Sequence, residues 1–160
     1  MNRKEYQGNL YILRNVSLPA LTSVKGDLSI GNIVKAELPA LTSVEGDLSI
    51  LSYVKAELPG LTSVGGYLYI WSNVSLPALT SVKGDLYIES NVKAELPALT
   101  SVGGYLSIES NVKVELSALA SVEGDLSILS NVKLPALTSV KGEKGKYANG
   151  QFVKESKNGK

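Results

Sequence analysis

A nine-residue phrase, Leu-Pro-Ala-Leu-Thr-Ser-Val-x-Gly, recurs seven times with little change and constrains the fold more than any other feature. Its leading leucine stands at positions 18, 38, 58, 76, 96, 116 and 134. A period near 20 residues is typical of a solenoid, because each unit is too small to bury a core alone and must stack on its neighbours. We therefore expect one solenoid of about seven coils over residues 1–142, followed by a basic segment over residues 143–160.

The spacing of apolar residues within one unit predicts strands. The unit that begins at Leu38 has its apolar residues at Leu38, Leu41, Val44, Leu48, Ile50 and Val54. A helical stripe would recur at three and four residues, without the step of two at Leu48-Ser49-Ile50. That step is strand periodicity and places both aliphatic side chains on one face, while Pro39 suits a corner. The pattern predicts an all-β fold, a parallel β-solenoid with coils of 18–20 residues.

A glycine ends each of the seven copies of the repeated phrase. The seven are Gly26, Gly46, Gly66, Gly84, Gly104, Gly124 and Gly142. A site occupied only by glycine predicts a positive φ or a close approach of two backbones.

Two kinds of unit differ in length by two residues. Long units read Val-Lys-Ala-Glu-Leu, as at 54–58, and short ones read Val-Ser-Leu, as at 74–76. In a strand, loss of two residues leaves the remaining side chains on the same face as before, whereas loss of one would turn the core side chains outward. This segment is therefore predicted to be extended, with Ala36, Ala56, Ala94 and Val114 pointing inward.

Asparagines stand three residues after the strand isoleucine at Asn15, Asn73, Asn91, Asn111 and Asn131. Stacked asparagines at a corner can hydrogen-bond the turn backbone and one another, so the sequence predicts a ladder there. Ile33 and Tyr53 interrupt it.

Residues 61–74 carry the pattern Leu-x-x-Val-x-Gly-x-Leu-x-Ile-x-x-Asn-Val. This pattern, which covers roughly residues 8–142, resembles the leucine-rich-repeat superfamily, and within it receptor L domains and bacterial or phage repeats. The resemblance implies a parallel, right-handed solenoid without catalytic residues, in a family whose members bind proteins or glycans. The chain departs from typical members by an extra residue between the Val and Leu ladders and by lacking room for a convex helix. It has no cysteine for the disulfides that L domains usually carry.

The residues that flank the strand aliphatics should point outward, and there the repeats diverge. We expect the ligand-binding residues to be Tyr67, Tyr69, Trp71, Tyr87 and Tyr105, with Leu51 at the edge. Aromatic side chains with polar tips on an exposed sheet are typical of a contact with a protein or a carbohydrate. The alternative is cross-strand packing that only stiffens the sheet of a structural spacer.

Rows of hydroxyl side chains suggest a further alternative. Threonines stand at Thr22, Thr42, Thr62, Thr80, Thr100 and Thr138, each beside a serine, and Ala120 breaks the row. Regular hydroxyl rows are a feature of ice-binding solenoids. Hydroxyls that bond the turn backbone explain the same rows without a ligand.

Composition argues against an enzyme. The chain has no histidine and no cysteine, which removes the commonest acid–base and nucleophilic groups. We expect no catalytic residue, no cofactor and no metal site, against the rival class of a carbohydrate-active enzyme on a β-helix. Asp27, Asp47, Asp85 and Asp125 are interpreted as solvated surface positions; only Asp27 and Asp47 lie on adjacent coils, as a weak calcium site would need.

Charge is unevenly distributed, with a net charge of −3 over residues 1–140 and +4 over residues 141–160. In the basic segment, Asn149-Gly150 predicts a hairpin and Phe152 is a candidate to cover the last coil. The alternative is the start of a linker. Its lysines are few and interrupted, so we expect no nucleic-acid partner. No signal peptide and no membrane-spanning apolar run is visible, so the default location is cytoplasmic.

Overall fold

A computed structural model describes the backbone of residues 4–148 and 151–154, and the side chains of residues 4–143. Within these residues the chain forms 23 strands and no helix, wound into stacked coils whose neighbouring strands run parallel, except that the last strand pairs antiparallel with the one before it. The predicted all-β parallel solenoid is confirmed. The described part of the chain contains no helix that could cross a membrane.

The largest sheet is built from the Leu-x-Ile segments and is called here the Leu-Ile sheet. Its nine strands, in spatial order, are β2 (Leu10–Ile12), β5 (Leu28–Ile30), β8 (Leu48–Ile50), β11 (Leu68–Ile70), β14 (Leu86–Ile88), β17 (Leu106–Ile108), β20 (Leu126–Ile128), β22 (Lys144–Ala148) and β23 (Gln151–Lys154). Leu48, Leu68 and Leu86 are register partners in one fully buried column, as the sequence predicts.

A second face, the Ser-Val sheet, was not predicted as strand. Its eight strands are β1 (Glu5–Tyr6), β4 (Ser23–Val24), β7 (Ser43–Val44), β10 (Ser63–Val64), β13 (Ser81–Val82), β16 (Ser101–Val102), β19 (Ser121–Val122) and β21 (Ser139–Val140). Each strand has only two residues, which is too short to show an alternation in sequence. The stacking of coils, rather than local pattern, makes these segments a sheet.

The third face consists of two three-stranded Lys-Glu sheets. One contains β3 (Val16–Ser17), β6 (Lys35–Glu37) and β9 (Lys55–Glu57), and the other contains β12 (Val74–Ser75), β15 (Lys93–Glu95) and β18 (Lys113–Glu115). The break between β9 and β12 falls where a short unit follows a long one. As predicted, the missing pair keeps the core face inward, because Val74 pairs with Ala94 and Val16 with Ala36. Both alanines are fully buried, whereas Ala56 and Val114, in the last strand of each sheet, are partly buried.

A serine hydroxyl joins the long and short coils. Ser72 Oγ accepts a hydrogen bond from the Val54 N–H at 3.0 Å and donates one to the Leu51 carbonyl at 2.5 Å. Ser130 does the same for the Val112 N–H and the Glu109 carbonyl. The buried Ser72 side chain thus satisfies two backbone groups in the turn of the preceding long coil.

The repeated glycines are explained by close backbone approach. A Cβ on Gly46 would lie 2.8 Å from the carbonyl carbon of Gly26, and one on Gly66 would lie 2.9 Å from that of Gly46. These distances leave no room for a methyl group. Among the described glycines only Gly8, which occupies the equivalent position in the first coil, has a positive φ. At the later repeated glycines, close backbone approach is therefore the reason for glycine, the second of the two predicted.

The Leu-Ile sheet continues beyond residue 142. Strand β22 pairs in parallel with β20, with Lys144 opposite Leu126, and β23 then pairs antiparallel with β22. The predicted hairpin residues Asn149 and Gly150, and the side chain of Phe152, lie outside what the structure describes.

Candidate functional site

The outer face of the Leu-Ile sheet carries three rows of side chains along the solenoid. Each strand contributes the residue before its leucine, the residue between leucine and isoleucine, and the residue after its isoleucine. We call these the first, middle and corner rows. The register places successive members of a row on adjacent strands, about 4.8 Å apart. All six residues predicted as the site lie on this face, in β8, β11, β14 and β17 or directly beside them.

Aspartates in the first row have a structural role that differs from the solvated positions expected from the sequence. Asp47 Oδ1 accepts a hydrogen bond from the Tyr67 N–H at 2.7 Å, and Asp85 Oδ1 accepts one from the Tyr105 N–H at 2.7 Å. Asp27 Oδ1 and Asp125 Oδ1 likewise accept backbone N–H groups of the next coil, those of Asp47 and Glu143. In the first coil Asn9 Oδ1 accepts a hydrogen bond from the Asp27 N–H at 2.8 Å. Among the described residues no group of three or more potential ligands could hold a metal ion.

Four tyrosines form one continuous strip across three coils. The rings of Tyr69 and Tyr87 stack with centroids 5.0 Å apart and planes 6° apart. Tyr67 meets Tyr69 edge-on at 6.0 Å, and Tyr105 contacts Tyr87 at 5.8 Å. These contacts match the predicted alternative of cross-strand packing, and they also hold the strip in a fixed shape.

The strip lies in surroundings that disfavour negative charge on a phenol. Burial, with the nearby Asp47 carboxylate, raises the pKa of Tyr69. Burial, with the hydrogen bond that Tyr87 Oη donates to Asp85 Oδ2 at 3.1 Å, raises the pKa of Tyr87 to about 12. Both hydroxyls are protonated at neutral pH, and the single proton of the Tyr87 hydroxyl is donated to Asp85 Oδ2.

We expect stability to fall as pH rises from 10 towards 12, in part because of Tyr87. The folded pKa of about 12 lies above the ordinary 10.0, so the unfolded chain loses this proton first and unfolding is favoured in that window. Urea denaturation just below pH 10 and again near pH 11 measures how steeply the free energy of unfolding falls with pH. Tyr87→Phe should make the slope shallower; an unchanged slope would contradict the assignment.

The corner row is apolar in the first four coils and acidic in the next two. The Leu13 side chain packs over Gly31, where a Cβ would lie 3.1 Å from Leu13 Cδ2. Leu51 and Trp71 follow on adjacent coils, and Trp71 is 43% exposed. Glu89 and Glu109 continue the row. Trp71 therefore stands at the boundary between apolar and acidic surface.

Four exposed large hydrophobic residues were missed as candidates for the site, namely Tyr11 and Leu13 in the first coil and two residues in turns. Ile33 and Tyr53 occupy the turn after the corner row, with φ of 60° and 59°, and are 78% and 84% exposed. Asn91 and Asn111 have the same conformation in later coils, with φ of 64° and 57°. Asparagine adopts this left-handed conformation readily, whereas isoleucine and tyrosine do so at a cost. The signal in the sequence was a large apolar residue at a position that otherwise holds asparagine.

The predicted asparagine ladder consists of two different arrangements. Asn111 Nδ2 donates to Asn91 Oδ1 at 2.6 Å, as expected. Asn15 and Asn73 belong to short units and instead accept the backbone N–H groups of Lys35 and Lys93, each at 2.8 Å. The turns differ because the short units lack the two residues that form the left-handed corner.

Replacing Ile33 or Tyr53 by asparagine is expected to raise the free energy of unfolding by about 1 kcal/mol, because the backbone strain is relieved. The reverse change, Asn91→Ile, should lower it by a similar amount. Chemical denaturation of the three variants measures both effects. A loss of stability in Ile33→Asn would show that the side chain stabilises the fold.

The threonine row is used within the fold. Thr42, Thr62, Thr80 and Thr100 Oγ1 each donate a hydrogen bond to the backbone carbonyl of the threonine one coil earlier, at 2.9–3.1 Å. These bonds are the turn-backbone explanation offered as the alternative to an ice-binding row.

Fold and surface together define a parallel β-solenoid that displays an aromatic strip on its widest sheet. Comparison of the chain with protein-family models, with curated proteins and with solved structures finds no match.

Proposed function

We propose that the protein is a non-catalytic recognition module that binds another protein through an aromatic patch formed by Leu51, Tyr67, Tyr69, Trp71, Tyr87 and Tyr105. The observation that carries this proposal is the exposure of Trp71 and Tyr67, 43% and 42%, beside a strip of tyrosines in mutual contact. Exposed aromatic groups gathered on one surface are typical of interaction sites. We further propose, from the motif in residues 61–74, that the repeats are related to the leucine-rich-repeat superfamily.

A protein partner suits the patch better than a carbohydrate. A sugar ring packs on an open aromatic face, but the stacked rings of Tyr69 and Tyr87 turn one face each towards the other. Their edges and hydroxyls are what they offer to a partner. On the first three coils, the exposed side chains of Leu13, Ile33 and Tyr53 and the partly buried Leu51 add aliphatic and aromatic surface. Such a mixture of aromatic and aliphatic groups is typical of the centre of a protein interface.

The spacer and ice-binding alternatives have less support. A spacer requires only that the tyrosines stabilise the sheet, and it leaves the strained, exposed Ile33 and Tyr53 without a role. Ice binding would use the threonine row, whose hydroxyls already donate to backbone carbonyls.

Selection of a displayed peptide library on the immobilised solenoid tests the proposal. Affinities of the selected peptides are then measured for the unaltered protein, for Trp71→Ala and for the control Lys113→Ala on the Lys-Glu face. We expect Trp71→Ala to weaken binding about tenfold or more and Lys113→Ala to leave it unchanged. Equal binding by Trp71→Ala, in a sample whose thermal unfolding shows it to be folded, would refute the aromatic patch as the contact surface.

A further inference from the structure

The face that bears the aromatic patch has a charge distribution unlike that of the other two. Across the first, middle and corner rows of β2 to β20, no outward position holds lysine or arginine. Six of these positions hold acids, namely Asp27, Asp47, Asp85, Glu89, Glu109 and Asp125. Arg14 lies in the turn after β2, three coils from Trp71. The middle of the face is therefore acidic and aromatic.

On the other two faces, acids and lysines are interleaved. On the Ser-Val side Lys25 Nζ lies 2.7 Å from Glu45 Oε1, and on the Lys-Glu side Lys93 Nζ lies 3.1 Å from Glu95 Oε1. Charges of opposite sign at such distances largely cancel each other's field at a distance. The segregation of uncompensated acids on the Leu-Ile sheet is thus a property of that face and not of the whole surface.

The carboxylates around the patch accept hydrogen bonds from neutral donors only, within the described residues. Asp85 Oδ1 accepts the Tyr105 N–H and its Oδ2 accepts the Tyr87 hydroxyl, at 2.7 and 3.1 Å. Asp47 Oδ1 accepts the Tyr67 N–H. Hydrogen bonds from neutral donors hold a carboxylate in place without neutralising it. Tyr67 is consequently flanked in the first row by two fixed negative charges.

We propose that the partner recognised by this patch is a basic protein segment whose arginine side chains stack on Trp71 and Tyr67 and pair with Glu89, Asp47 and Asp85. This inference rests on the proposed function and names the chemistry of its partner. A guanidinium group stacks on aromatic rings and pairs with carboxylates at once. Adjacent strands lie about 4.8 Å apart, so within a row each exposed ring is one coil from an acid: Tyr67 from Asp47 and Asp85, and Trp71 from Glu89.

Charge complementarity separates this partner from the others the face could meet. A nucleic acid or an acidic polymer would be repelled by six carboxylates with no cation among them. A second copy of the chain, packed through the same face, would bring like charges together. A basic segment is attracted by the acids and retained by the rings.

Fluorescence of Trp71, the only tryptophan in the chain, reports directly on the patch. The 160-residue protein is titrated with three peptides of equal length, alternating Gly-Arg, Gly-Lys and Gly-Glu, at low and at physiological salt. We expect the Gly-Arg peptide to bind most tightly, the Gly-Lys peptide less tightly and the Gly-Glu peptide not at all, with affinity falling as salt rises. Equal responses to the Gly-Arg and Gly-Glu peptides would overturn the proposal.

A charge-neutral variant gives the sharper test. Asp47→Asn, Asp85→Asn and Glu89→Gln in one chain remove three negative charges, and Asn9 shows that an asparagine oxygen can accept the same backbone bond. The matched control removes three charges from the Lys-Glu face, at Glu57, Glu95 and Glu115. We expect the patch variant to bind the Gly-Arg peptide about tenfold more weakly and the control to bind as before. An equal loss in both would show attraction to net charge alone and would overturn the site.

The same variants separate this inference from the proposed function. If peptides from the library selection still need Trp71 but bind the charge-neutral variant unchanged, the recognition surface stands and the basic partner is wrong. If Trp71→Ala binds them as well as the unaltered protein does, the recognition surface itself is wrong.

Discussion

Replacing Leu68 by alanine is expected to lower the free energy of unfolding by about 3–5 kcal/mol, because the change removes buried aliphatic atoms and leaves a cavity. Leu68 is fully buried between Leu48 and Leu86 in the central column of the Leu-Ile sheet. Each coil contacts only its neighbours, so a cavity in the fourth coil weakens the two interfaces that hold the halves together. Urea denaturation followed by circular dichroism measures the loss.

Leu13→Ala is the matched control, since it is the same chemical change at a side chain that is 77% exposed. We expect it to alter the free energy of unfolding by less than about 0.5 kcal/mol. Equal effects of the two substitutions would mean that the inward and outward faces of the Leu-Ile sheet have been exchanged.

Gly124→Ala should also destabilise the solenoid strongly, by about 3 kcal/mol, as expected for severe overpacking. A Cβ at this position would lie 2.6 Å from the carbonyl carbon and 2.7 Å from the carbonyl oxygen of Gly104 in the preceding coil. Both are backbone atoms and cannot rotate away, so adjacent coils would have to separate. Thermal and urea unfolding would both show the loss.

Gly60→Ala provides the contrast within the same repeat. A Cβ there would lie 3.4 Å from the nearest backbone oxygens, and Ala40 and Ala78 occupy the equivalent position in neighbouring units. We expect a change between zero and a gain of about 1 kcal/mol, since alanine restricts the unfolded chain. A neutral Gly124→Ala would show that the coils are not held at the spacing described.

Much of the fold could be predicted from the spacing of a few residue types. The step of two at Leu48 and Ile50 identifies an extended segment because side-chain direction in a strand has a period of two. The two-residue difference between units was assigned to the extended segment, but the register, with Val74 opposite Ala94, places the missing pair in the turn before it. The Ser-Val strands could not be found in this way, since two residues show no period. Nor could the division of the Lys-Glu face, which follows from how a short coil stacks on a long one.

The candidate site was predicted in part. Tyr67, Tyr69, Trp71, Tyr87 and Tyr105 do lie on one face, because the period of two and the coil length determine their register. Their individual contacts depend on side-chain conformation, which the period does not specify. Ile33 and Tyr53 were missed because a turn position shows its left-handed conformation only when φ is known.

The roles of polar side chains were least accessible from sequence. The aspartates recur at surface positions and so were interpreted as solvated groups. Hydrogen bonds from the threonine hydroxyls to the turn backbone were expected, but not which carbonyl accepts each of them. Their partners are backbone groups one coil away, about 20 residues distant along the chain, as for Asp47 with Tyr67 and Thr62 with Thr42.

By itself, the sequence determined which side chains are inside, which are outside and how often the pattern returns, because alternation and repeat length are properties of the covalent chain. Only the tertiary structure decided which outward groups are free for a partner. In the folded chain the threonine hydroxyls and one oxygen of each aspartate form hydrogen bonds with the backbone, whereas Trp71 and Tyr67 remain exposed. The physical reason is that a hydrogen-bond or ring partner on the next coil is remote in sequence and becomes a neighbour only when the coils stack.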